Sequence, residues 1–143
     1  MSRMKMKYCK KYKKTHHYLP IFGMNMNFVF NHDDFNYLCK EYQDYEADRP
    51  LSNNGECFMN PENGEVVIGI FNNSISTIVH EVTHATLFIL ESRFMNPYDS
   101  NGEAMAYIQS HLFDEINKRM IKYHKKAKND SKWFKNRHRD KRY

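Results

Sequence analysis

Val66-Val67-Ile68-Gly69-Ile70-Phe71-Asn72-Asn73-Ser74-Ile75-Ser76-Thr77-Ile78-Val79-His80-Glu81-Val82-Thr83-His84 contains the change of period that decides the fold. Its first six residues are apolar or glycine and rich in β-branched side chains, which suit a pleated strand. Asn72-Asn73-Ser74 then supplies side chains able to accept hydrogen bonds from the first amides of a helix. From Ile75 the apolar residues recur at helical spacing to about Glu91, with Ile75, Ile78, Val79, Val82, Ile89 and Leu90 as the expected core stripe.

Working upstream, Glu56–Met59 and Glu65–Phe71 flank Asn60-Pro61-Glu62-Asn63-Gly64, and so dense a run of turn residues predicts a β-hairpin. Met24 to Phe30 alternates apolar with polar before ending in an apolar run, as a half-buried strand does. Asn31 or His32 precedes Asp33-Asp34-Phe35, a helix start, and Phe35, Leu38, Cys39 and Tyr42 share one helical face up to about Tyr45. A loop follows through Asp48-Arg49-Pro50 to Gly55. Residues 1–18, basic and aromatic without a period, read as an arm, with ordered structure beginning near Leu19-Pro20.

Downstream, Asn96-Pro97 and Asp99-Ser100-Asn101-Gly102 lead into a last helix from about Gly102 to Lys122, with Ala106, Ile108, Leu112, Phe113, Ile116 and Met120 as its apolar surface. The expected fold is α+β: one domain over 19–123, a small sheet with a hairpin packed on helices, between basic ends 1–18 and 124–143.

The 143 residues carry a net charge of +5, unevenly distributed. Residues 1–14 hold seven Lys/Arg and no acid, and residues 118–143 hold twelve against Asp130 and Asp140. Between them stand three basic residues and fifteen acids. An acidic body suits a cation, and basic ends suit a polyanion such as nucleic acid, although solubilising tails would have the same composition. Three widely spaced cysteines, Cys9, Cys39 and Cys57, argue for reduced thiols and a cytoplasmic setting. No apolar run is long enough to cross a bilayer, and no membrane partner is expected.

His80-Glu81-Val82-Thr83-His84 lies within the predicted helix, where a spacing of four puts both imidazoles on one face. Two neutral ring nitrogens so placed can hold one Zn²⁺. Glu81, beside the first ligand, can take a proton from a metal-bound water whose pKa zinc lowers to about 7. A catalytic zinc takes three protein ligands and keeps one position open. Leu87 and Leu90 stand where a metzincin continuation needs Gly and His, so a carboxylate from the downstream helix is the remaining option. Glu103 is that candidate, while Ser100-Asn101-Gly102-Glu103 equally reads as a capping box. Asp99 and His111 are substitutes, with Asp114 behind them. Tyr107 and His111 follow Glu103 on its face and are candidates to orient substrate or stabilise an oxyanion, with core packing the other reading of Tyr107. A structural Cys₂His₂ set of Cys39, Cys57, His80 and His84 is disfavoured, because its cysteines are eighteen residues apart.

Val79-His80-Glu81-Val82-Thr83-His84-Ala85, followed by Asn101-Gly102-Glu103-Ala104-Met105-Ala106-Tyr107-Ile108, resembles the gluzincin-type zinc metallopeptidases, and more closely short phage-encoded chains read as zinc peptidases. The resemblance spans roughly Gly55 to Ile116. It implies a minimal zincin-like core whose two helices carry the zinc ligands His80, His84 and Glu103, with Glu81 as general base. It also implies a sheet edge for an extended peptide substrate, by position Val66–Phe71. The large gluzincins have a second lobe that this length leaves no room for. The function expected is a zinc-dependent peptidase, and the alternative is a non-catalytic zinc protein whose basic ends bind nucleic acid.

Overall fold

The computed structural model describes residues 15–40, 53–60 and 64–139. Four strands form one mixed sheet: β1 (His16–Leu19), β2 (Met24–Val29), β3 (Gly55–Met59) and β4 (Val66–Ile70), in the order β1-β2-β4-β3. The two hairpins β1–β2 and β3–β4 are antiparallel, and β2 pairs parallel with β4, Phe28 opposite Ile68. Among the described residues there are three α-helices: α1 (His32–Lys40), α2 (Ile75–Ser92) and α3 (Glu103–Arg139). The fold is therefore α+β, as expected.

A parallel pair needs a crossover, and α1 belongs to the one that joins β2 to β4. Asn31 caps α1: its Oδ1 accepts from Asp34 N–H at 2.8 Å, while its amide donates to Asp34 Oδ2 at 2.9 Å. Phe35, Leu38 and Cys39 of α1 bury Val29 and Val67 on one face of the sheet. The other face carries the main core, where Met26, Phe28, Val66, Ile68 and Ile70 meet Ile78, Val82, Ile89 and Leu90 of α2 and Ile108, Leu112, Ile116 and Met120 of α3. Each such side chain, fully buried, contributes about 1.5–3 kcal/mol relative to exposure.

Five expectations change. The sheet begins before Leu19, because His16–Leu19 pairs with β2 and Arg119 donates to the carbonyls of Thr15 and His16 at 3.0 Å each. Val66–Ile70 is an interior strand, not an edge: both faces are covered, which is why its run is continuously apolar instead of alternating. Ile75 and Val79 lie outside the core stripe at 59 % and 51 % exposure, and Ala106 is exposed on α3. Ser74 takes the N-cap position of α2 without a capping hydrogen bond, its hydroxyl instead meeting that of Ser76 at 3.0 Å. Finally, α3 does not stop near Lys122 but continues to Arg139, since its lysines and alanine are good helix formers and no glycine or proline interrupts them. Tyr42, Tyr45 and the Pro61–Asn63 part of the hairpin turn lie outside the described residues. No helix among the described residues is long and apolar enough to cross a membrane.

Candidate metal and catalytic site

The HExxH segment occupies the middle of α2, where its spacing acts as expected: His80 Nε2 and His84 Nε2 lie 3.2 Å apart. Two nitrogens bound at about 2.0–2.1 Å to a tetrahedral zinc would stand about 3.3 Å from each other. The pair therefore fits two corners of such a site. Both rings are exposed on the side of α2 turned away from the sheet, His80 with 68 % of its side chain accessible.

Glu81 is different. A step of about 100° around the helix turns it toward β3 and leaves it 6 % exposed. Its Oε1 lies 4.0 Å from His80 Nε2, beyond direct hydrogen bonding and wide enough for one water-sized group to touch both. Burial pushes its carboxyl above the ordinary value, the His80 and His84 rings pull it down, and Glu56 pushes it up again. A carboxylate raised in this way is a better proton acceptor than an exposed one, which suits a general base.

The approach of α2 to β3 depends on Gly55. A β-carbon there would sit 2.6 Å from Thr77 Cγ2, 2.9 Å from the Gly69 carbonyl oxygen and 3.0 Å from Glu81 Cγ. Only glycine lets helix and strand close this far, and the groove they leave is a cleft of about 650 Å³. Asn53, Asn54, Gly55, Glu56 and Cys57 form one wall, and Ser76, Thr77, His80, Glu81 and His84 the other. Sequence reading found this strand as one arm of the hairpin and weighed Cys57 only as a disfavoured zinc ligand, and it did not assign the strand to a wall of the site. Burial, then Glu81 and Glu56, push the Cys57 thiol far up, so it is uncharged and a poor nucleophile.

Glu103, Tyr107 and His111 lie elsewhere. Thr83, on the flank of α2 opposite Glu81, accepts from Gln109 of α3 at 3.4 Å. That contact places Glu103 six residues, about 9 Å of helix, beyond the level of the motif and on the far flank. Glu103 is exposed, and its N–H donates to the Ser100 carbonyl across a 3-10 turn (Asp99–Gly102) in which Ser100 and Asn101 have left-handed backbone. Among the described residues no group of three His, Cys, Asp or Glu side chains is placed to hold a metal ion. Tyr107 lies near Phe22 and stacks on His111, with centroids 6.4 and 5.9 Å away. His111 Nε2 in turn meets His17 Nε2 of β1 at 2.9 Å. Of the six site residues read from the sequence, the fold gathers His80, Glu81 and His84, sets Tyr107 and His111 against the β1–β2 hairpin, and leaves Glu103 exposed at the start of α3.

The fold and site define a small α+β domain presenting a histidine pair and a buried glutamate at the mouth of a helix–strand cleft. No family matches the sequence, and neither characterised proteins nor solved structures offer a match to it.

Proposed function

We propose that the protein is a zinc-dependent hydrolase acting on peptides, with His80 and His84 as metal ligands and Glu81 as general base. The observation that carries this reading is the 3.2 Å separation of the two imidazole nitrogens beside a buried carboxylate. Zinc held there would supply Lewis acidity and a water acidified to about pKa 7. Glu81 is placed to accept that water's proton and pass it to the leaving amine, and its burial keeps the carboxylate basic. Glu103 is the sequence's candidate for a third ligand and would have to come from the far flank of α2; otherwise solvent or substrate completes the set. The peptide of this reading lies along β3, the strand that borders the cleft. Unpaired Cys39 and Cys57 accord with a reducing, cytoplasmic setting.

The test is elemental analysis of zinc-saturated protein together with cleavage of a mixed peptide library. Glu81→Gln is expected to keep its zinc and lose at least about 100-fold in turnover. Zinc-free wild type, or a Glu81→Gln variant that still turns over, would refute the proposal.

A further inference from the structure

The part of α3 beyond Met120 has no role in the cleft, yet it is the most unusual surface of the molecule. Tyr123 and His124 are its last anchors: Asn31 donates to the Tyr123 hydroxyl at 3.2 Å, Phe30 lies against the Tyr123 ring at 5.4 Å, and His124 is half-buried. From Lys125 to Lys132 every side chain is exposed, so the helix leaves the body there as a single rod. A helix polar on all sides and unsupported by a core gains little from packing, which makes its charge the property that matters.

Six exposed lysines, Lys122, Lys125, Lys126, Lys128, Lys132 and Lys135, line this segment against one acid, Asp130. At about 100° per residue all six fall within one half of the helix surface, roughly 180° wide. Ala127, Asp130 and Ser131 lie on the opposite half, which continues the line of the buried Ile116 and Met120. From Lys122 to Lys135 the helix rises about 20 Å, a length over which duplex DNA presents about a dozen phosphates, half of them facing one side. The Arg119 clamp adds to this pole. It fixes Thr15 and His16 against α3 about one turn before the lysine face begins.

We infer that the lysine face of α3 is a docking surface for duplex DNA, reading phosphates and not sequence. A membrane-surface helix carries large apolar residues all along the side opposite its lysines, and here that side holds only Ala127, Asp130 and Ser131 over the turns from Lys125 to Lys132, between Tyr123, which packs on Phe30, and the position of Phe134. B-form DNA has a major groove about 12 Å wide that admits an α-helix, whereas the deep, narrow groove of duplex RNA does not.

Fluorescence anisotropy of the full chain on a 20-base-pair DNA duplex tests this, with a duplex RNA of the same sequence and anionic phosphatidylserine vesicles in parallel. The expected result is tightest binding to DNA, with affinity falling about 10³-fold between 50 and 200 mM salt, as six phosphate contacts require. Replacing all six lysines by Gln should remove most of that salt dependence, and replacing them by Arg should restore it; far-ultraviolet circular dichroism checks that the helix persists in both. Wild-type affinity in the Gln variant, equal or tighter binding to RNA, or binding to vesicles without binding to DNA would each overturn the inference.

Discussion

Gly55 of β3 lies directly against Glu81 of α2, close enough that a β-carbon on the strand would come within 3.0 Å of the glutamate Cγ. The Gly69 carbonyl, 2.9 Å from where a β-carbon would sit, belongs to the sheet and cannot swing aside, so helix and strand would have to separate. Gly55→Ala is expected to cost about 1–3 kcal/mol of stability, the range for overpacking a fixed site. If the cleft is catalytic, turnover should fall by more than that loss explains, because the displaced group is the proposed base. Urea unfolding and peptide hydrolysis measured on the same preparation separate the two effects, and unchanged stability would show that the contact relaxes freely.

The metal reading divides the candidate ligands by flank. His80 and His84 share one side of α2, while Glu103 starts a helix whose contact with the motif is made at Gln109. Zinc titration against a chelating indicator should therefore show affinity falling more than about 100-fold in His80→Ala and His84→Ala, since loss of a direct ligand exceeds the loss of a supporting group. In Glu103→Gln it should change less than about threefold. A tenfold or larger loss there would place Glu103 in the coordination sphere of the loaded protein.

The pair His17–His111 makes stability pH-dependent in a definite direction. Burial, then the Arg119 charge, lowers His17 below its ordinary 6.5; His111 and His16 act in the same sense, and Glu115 opposes them. The native state thus favours neutral His17, which the 2.9 Å contact also requires of at least one partner. As pH falls below 6.5 the unfolded chain gains a proton that the native state resists, so this contribution is full above 6.5 and declines below it. Thermal melts from pH 7.5 to 5 should show a falling midpoint in wild type and a shallower fall in His17→Gln. Parallel curves for the two proteins would locate the titration elsewhere.

Local pattern made β4, α2 and the HExxH face legible, because each rests on a run of neighbours: the β-branched stretch at 66–70 and the fourfold spacing of His80 and His84. The apolar run of β4 also carried the sign of a doubly covered strand, and reading it as an edge missed that both of its faces must be buried. β1 was hidden because His16-His17-Tyr18 looks polar and gains its place only from β2 and from Arg119, more than a hundred residues away. The His17–His111 contact, 94 residues apart in sequence, has no local signature at all. The length of α3 was obscured for the opposite reason: charge suggested a tail while propensity favoured continuation.

The rotation of α2 about its axis is what turns the histidine pair outward, and neighbouring residues Ile78 and Val79 report on it. Ile78 is fully buried against the sheet, whereas Val79, one step of about 100° further round, is half exposed. The periodicity of the sequence admitted both to the core; the fold admits one. Ile78→Ala should cost about 2–5 kcal/mol, the loss of buried methyl groups plus the cavity left behind. Val79→Ala should stay within about 0.5 kcal/mol, as surface changes do. Chemical denaturation of the two variants decides the rotation. Were Val79→Ala the costlier change, α2 would be turned toward Val79, and His80, its next neighbour, would no longer share the cleft with Glu81.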